Sequence, residues 1–174
     1  MTVSEVARRT GMRPPSVYKY FDSLHAIYDG LFARGQAQVL EAIEGAVRGC
    51  EPGLASLLAG HREFLHWSTR ELGLASLMFW RPVPGFVPSQ ESMAAARHLL
   101  TRGREELRVA VERGELSPAA DSDEAARLLT TLVSGIFSQQ AANQPGADFD
   151  DGLFTSLTDE VLEMFVRRYD PTGA

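Results

Sequence analysis

Glu63 and His66 are the pair whose types and spacing come nearest to catalytic chemistry. A Glu-x-x-His step sets a carboxylate and an imidazole on one helical face, as in di-iron bundles, and such a centre needs a second copy of the step. Neither His25 nor His98 has a glutamate three residues before it. His61 and His66 are five residues apart and do not share a helical face. A Gly-x-Ser-x-Gly elbow, a phosphate loop and a dinucleotide glycine pattern are all missing. The one cysteine, Cys50, excludes an internal disulfide and a cysteine-based zinc cage. The expectation is a protein that is not an enzyme, with no catalytic residues, no metal and no cofactor.

Charge points elsewhere. The net charge of −6 argues against general coating of nucleic acid. Within residues 1–28, however, Arg8, Arg9, Arg13 and Lys19 outnumber Glu5 and Asp22. A mildly basic tip on an acidic body suits local contact with phosphate. A hydrophobic fraction of 44% over 174 residues supplies a core and excludes disorder. No apolar run approaches the ~18 residues that cross a bilayer, and the N-terminus lacks a signal pattern. A soluble, cytoplasmic protein with no membrane partner is expected.

The elements that must position these residues are helices, because no sustained period-two stretch of β-branched residues occurs. Thr2 fits an N-cap, with Glu5 completing a capping-box pattern. The first helix should end near Thr10, with Gly11 taking the left-handed turn. Pro14 and Pro15 allow a helix to start but not to continue through them. Asp22 and Ser23 can cap a long third helix from Leu24, carrying Ile27, Leu31, Val39, Ile43 and Val47. A fourth carries Leu54, Leu57, Leu58, Phe64 and Leu65, and a short apolar helix covers Leu74–Phe79. Prolines 82, 84 and 88 force a loop, from which a helix starting near Ser89 runs to the Gly114 cap. Its face holds Met93, Ala96, Leu100, Gly103, Leu107 and Ala110. Two helices, about 123–143 and 152–168, close the chain.

Ala7, Gly11 and Val17 occupy the spacings of a helix-turn-helix. The small Ala7 permits close approach, Gly11 takes the positive-φ turn, and Val17 plugs the angle between the helices. The string Thr2-Val3-Ser4-Glu5-Val6-Ala7-Arg8-Arg9-Thr10-Gly11-Met12, continued by Ser16-Val17-Tyr18-Lys19-Tyr20-Phe21, resembles the DNA-binding signature of the TetR family of repressors. Ala26-Ile27 fit the start of that family's next helix, so the resemblance spans about 27 residues. The rest of the chain matches only in its succession of helices.

The resemblance implies that residues 14–20, from Pro14 to Tyr20, lie in the major groove of operator DNA. Arg13 and Lys19 would donate to guanine edges or phosphates, and Ser16 to a base edge or phosphate. Pro15 would touch a thymine methyl, while Tyr18 and Thr2 would contact phosphate. The family usually has lysine where Leu24 stands; His25 or the helix amides would take its place. The family also carries an amphipathic helix ahead of the position of Thr2. The expectation is therefore a truncated or mis-started chain in which Val6, Val17, Phe21 and Ile27 lose cover.

The expected architecture is all-α: an incomplete helix-turn-helix DNA-binding head over residues 1–28, joined to a helical effector-binding and dimerisation domain over residues 29–174. The resemblance implies a homodimer through the last two helices, whose apolar residues Leu129, Val133, Phe137, Phe154, Leu157, Val161 and Phe165 exceed the needs of one internal face. His61, Phe64, Leu65, Trp67, Met78, Trp80, Phe86 and Gln140 are the candidate pocket residues for a small hydrophobic effector. The loop Arg81–Gln90 would gate entry. The function so implied is a transcription regulator, a repressor released from double-stranded operator DNA by ligand. Two alternatives stand beside it: a helical dimerisation and ligand-binding module without DNA binding in this form, and a helical-bundle enzyme.

Overall fold

Three hydroxyl side chains start three of the helices. Thr2 Oγ1 accepts from the Glu5 N–H at 3.2 Å and opens α1 (Val3–Arg9). The reciprocal half of the capping box is not made, because Glu5 instead pairs with Arg9 at 2.8 Å one turn on. Ser23 accepts from Ala26 at 3.1 Å and opens α3 (Leu24–Ala46); Ser122 accepts from Ala125 at 3.2 Å and opens α7 (Asp123–Asn143). Between α1 and α3 lies α2 (Pro14–Tyr18), reached through Gly11 at φ +71°. A left-handed residue there favours glycine because it has no Cβ.

A different solution opens α4 (Leu54–Arg70). It begins at Gly53 without a side-chain cap, and its first amides donate to carboxylates of a distant segment. Gly53 N–H meets Glu106 at 2.7 Å and Leu54 N–H meets Glu115 at 2.8 Å, while the Ser56 hydroxyl donates to Glu106 at 2.7 Å. Acidic groups at a helix N-terminus also oppose its dipole. Glu106 belongs to α6 (Ala94–Glu112). These contacts therefore lock α4 to α6 at one end of the molecule.

The computed structural model describes residues 2–172 and is all-α, with α5 (Leu72–Trp80) and α8 (Thr158–Arg168) completing eight α-helices among those residues. Two short 3-10 turns, Pro118–Ala120 and Thr155–Leu157, precede α7 and α8. No helix among the described residues is long and apolar enough to cross a membrane. Two apolar clusters form. A small one unites Val3, Ala7 and Val17 with the partly buried Phe21, Leu24 and Ile27. The large one takes Phe32, Val39, Leu57, Leu65, Leu107, Leu129 and Phe165. The border drawn at residues 28 and 29 falls inside α3, whose Ile27 joins the first cluster and whose Tyr28 joins the second. One unbroken helix thus serves both.

Several boundaries differ from those the sequence suggests. α5 is longer than Leu74–Phe79 at both ends. α6 begins at Ala94 rather than near Ser89, because Ser89 and Ser92 turn inward to hydrogen-bond each other and Asp29 of α3. α8 begins at Thr158 because the backbone before it is drawn into a tight turn, with the Thr155 hydroxyl donating to the Phe149 carbonyl at 2.6 Å. The Arg81–Gln90 loop is not a free gate. Phe86 is buried against Tyr28 and Phe32 of α3, at ring-centroid distances of 5.9 and 6.3 Å, and Ser89 is tied to Asp29.

Candidate functional site

α3, α4, α6 and α7 diverge enough to leave a cavity of about 340 Å³, to which α5 contributes Met78 and Phe79. Small residues on α6, Ala96 and Gly103, make room; a Cβ added at Gly103 would meet nothing within 4 Å. On the opposite side Gly60 lets α4 approach Ile43 of α3 and Val47, the residue after that helix. The wall is mainly apolar, formed by Val39, Leu57, Phe64, Met78, Leu107 and Leu129. Leu100, Phe79 and Arg81 line it and are also exposed, which places its opening beside them.

Five neutral polar side chains line this space, Gln36, Ser56, His61, Thr130 and Ser134; the Ser56 and Thr130 hydroxyls already donate to Glu106 and to the Ala126 carbonyl. His61 Nδ1 lies 2.8 Å from the Leu57 carbonyl. A carbonyl only accepts, so Nδ1 carries the proton and Nε2 is left with a lone pair. Burial lowers the His61 pKa below 6.5, against the smaller opposing effect of the Leu57 hydrogen bond. The imidazole is therefore neutral at neutral pH.

Of the three arginines that line the cavity, the two on α6 face carboxylates, and Arg81 at the opening has none within ion-pairing distance among the described residues. Arg102 lies 3.7 Å from Glu106, whose two oxygens also cap α4. Arg104 reaches Asp121 at 3.4 Å and Asp123 at 3.3 Å, and its Nη1 is buried without a hydrogen-bond partner among the described residues. Two carboxylates against one guanidinium leave no net positive charge there.

Of the residues singled out for a pocket, His61, Phe64 and Met78 line the cavity. Leu65, Trp67, Trp80, Phe86 and Gln140 do not, each for a visible reason. Leu65 and Trp67 lie one and three residues beyond Phe64, and at 3.6 residues per turn they point into the solid core. Trp80 sits half-exposed against Phe137 and donates to Ser138 at 3.4 Å. Phe86 is the anchor of its loop on α3. Gln140 organises the turn before α8: its Oε1 accepts from the Phe154 and Thr155 amides at 3.0 and 3.4 Å, and its Nε2 donates to the Gln144 carbonyl at 2.8 Å.

Sequence reasoning missed Gln36, Val39 and Gly103 as cavity residues. Gln36 had a signal, a polar side chain within the apolar stripe of α3. Glu63 and His66 meet at 3.3 Å outside the cavity, and no metal-ready cluster of three His, Cys, Asp or Glu residues occurs among the described residues.

The set chosen for a dimer interface divides. Leu129, Val133, Phe137 and Phe165 are buried within the single chain, and Leu129 and Val133 line the cavity. Their i, i+4 stripe faces α4 and α6 rather than outward. Phe154 and Val161 are half-buried, whereas Leu157 is 44% exposed. The outward apolar surface of α7, α8 and the turn before α8 includes Leu128, Leu132, Leu157, Val161 and Met164.

At the other end, Arg13, Pro14, Pro15, Ser16, Tyr18, Lys19 and Tyr20 are all exposed, and Val17 alone in that stretch is buried, against Val3 and Ala7. Thr2 is exposed beside them, its hydroxyl engaged as the α1 cap. Arg13 and Lys19 have no carboxylate within ion-pairing distance among the described residues; Lys19 Nζ lies 5.9 Å from the Tyr20 ring centroid. Leu24 turns into the small apolar cluster, and His25 lies against Phe86 at 6.3 Å.

The fold has a solved counterpart. It is similar to a protein of unknown function from Rhodococcus sp. RHA1, at 19% sequence identity and a TM-score of 0.76, covering 98% of this chain and 85% of that one. At that identity the likeness is one of fold. No family model matches the chain, and no curated protein does.

Proposed function

We propose that the chain is a DNA-binding transcription regulator of the TetR kind, a cytoplasmic repressor released from its operator by a small hydrophobic ligand. The observation that carries this is the N-terminal surface. The string resembling the TetR recognition signature presents Arg13, Ser16, Tyr18 and Lys19 outward, while Val17 anchors the segment from behind. Unpaired cations and hydroxyls on a short exposed helix suit phosphate positioning and base-edge contact.

Two recognition helices are needed for a palindromic site, with half-sites ~34–36 Å apart or a multiple of that spacing. The outward apolar surface of α7 and α8 supports a homodimer that would supply the second. Ligand would act by shifting populations: it favours whichever conformer it binds more tightly. α3 and α6 both line the cavity, and α3 continues into the N-terminal segment. Asp29 joins the start of α6 to α3 seven residues before Gln36, so displacement of either helix would be passed on to the paired heads.

A shift titration on the DNA upstream of the protein's own gene, with unrelated DNA as competitor, tests this. Specific retardation that weakens steeply with salt is the expected result. Equal binding to both DNAs would sink the repressor function and leave a helical ligand-binding module.

A further inference from the structure

The cavity asks for a particular kind of polar group. His61 Nε2 has no partner among the described residues, and its lone pair is fixed by the Leu57 carbonyl holding the proton on Nδ1. Whatever satisfies Nε2 must bring a hydrogen. Gln36, nearly buried on α3 and likewise without a side-chain partner among the described residues, offers both a carbonyl and an amide. Around them the wall is mainly apolar and partly aromatic, with Phe32, Phe64 and Met78 supplying ring and sulfur contacts and Ser134 a further hydroxyl.

Carboxylate ligands are poorly matched to this space. An ionised carboxylate is acceptor-only and would oppose the Nε2 lone pair. It would also lose hydration in a mainly apolar space, where Arg102 and Arg104 already face Glu106, Asp121 and Asp123 and the donor left over, Arg104 Nη1, sits on a guanidinium with two carboxylates. Arg81 stands at the exposed rim.

We infer that the cavity selects a neutral, largely apolar hydroxyl compound, whose O–H donates to His61 Nε2 and whose body packs among Phe64, Met78, Leu107 and Leu129, with Gln36 as the second polar contact. This specifies the ligand of the proposed regulator and rests on the cavity being its effector site. A volume of about 340 Å³ suits a single-ring ligand with a short alkyl tail.

Calorimetric titration of the full chain with three matched probes tests the inference: para-butylphenol, para-butylanisole, which lacks the donor, and para-butylbenzoate, which is anionic. The phenol should bind about 10-fold more tightly than the anisole, and the benzoate more weakly than either. His61→Phe should abolish the difference between phenol and anisole while retaining anisole binding. Gly103→Met, which projects into the empty space beside α6, should weaken all three. Equal phenol and anisole affinities in the unaltered chain, or tightest binding of the benzoate, would overturn the hydroxyl requirement and leave the cavity a ligand site. Binding of none of the three would overturn both. The unaltered chain decides the matter even where the His61 variant does not fold.

Discussion

Replacing Asp29 with alanine removes the carboxylate through which α3 holds the Ser89–Ser92 turn that leads into α6. Its Oδ1 accepts from the Ser89 N–H at 2.8 Å and its Oδ2 from the Ser92 hydroxyl at 2.8 Å. Hydrogen bonds to a charged group contribute ~1.5–3 kcal/mol each when buried. Asp29 is only half-buried and Ser89 is exposed, so water partly replaces what is lost, and the sum falls to about 2 kcal/mol. For a chain of this size that lowers Tm by roughly 4–8 °C.

Burial raises the Asp29 carboxyl pKa, but the hydrogen bonds from the Ser89 amide and the two serine hydroxyls outweigh it and hold the pKa below 3.8. A carboxylate with a depressed folded-state pKa contributes its stability above the unfolded value, and that contribution is lost as pH falls through the folded value. The Asp29→Ala penalty should therefore be full at pH 7 and shrink below about pH 4. Thermal unfolding of both chains at neutral and acid pH is the assay. Asp29→Asn, which loses the charge and one acceptor, should fall between them. A Tm change within about 1 °C at pH 7 would refute the tie as a structural contact.

Three further outcomes follow from the same geometry. In fluorescence anisotropy against specific DNA, Lys19→Ala should weaken binding uniformly across sequences and flatten the salt slope by about one unit, while Arg13→Ala should cost ~1–3 kcal/mol and relax sequence choice. In analytical ultracentrifugation, Leu157→Asp should convert a dimer to a folded monomer, because Leu157 lies on the outward surface. Leu129→Ala, in the buried wall, should instead lower chemical-denaturation stability by ~2–5 kcal/mol and leave association intact.

What was legible in the sequence was local. Thr2, Ser23 and Ser122 could be placed as caps because capping depends on a hydroxyl and an amide three residues on. Gly11 could be placed because its left-handed φ disfavours a residue with a Cβ. The α6 face from Met93 to Leu107 was legible as one face, but not that it lines a void. Periodicity identifies an apolar stripe without saying what stands opposite it. Leu129 and Val133 were accordingly assigned outward, when α4 and α6 lie against them. Gln140 shows the complementary limit. A polar residue within an apolar helix resembles a ligand contact until the chain returns fifteen residues later with amides that need an acceptor.

The most direct measurement is a shift titration of the full chain on DNA upstream of its own gene, run across salt concentrations and repeated with Arg13→Ala. A regulator reading DNA through α2 should bind one site there 10³-fold or more above unrelated DNA, as an order-of-magnitude expectation, and Arg13→Ala should erase much of that preference. Binding that is indifferent to sequence, or unchanged by loss of the Arg13 guanidinium, would contradict the account.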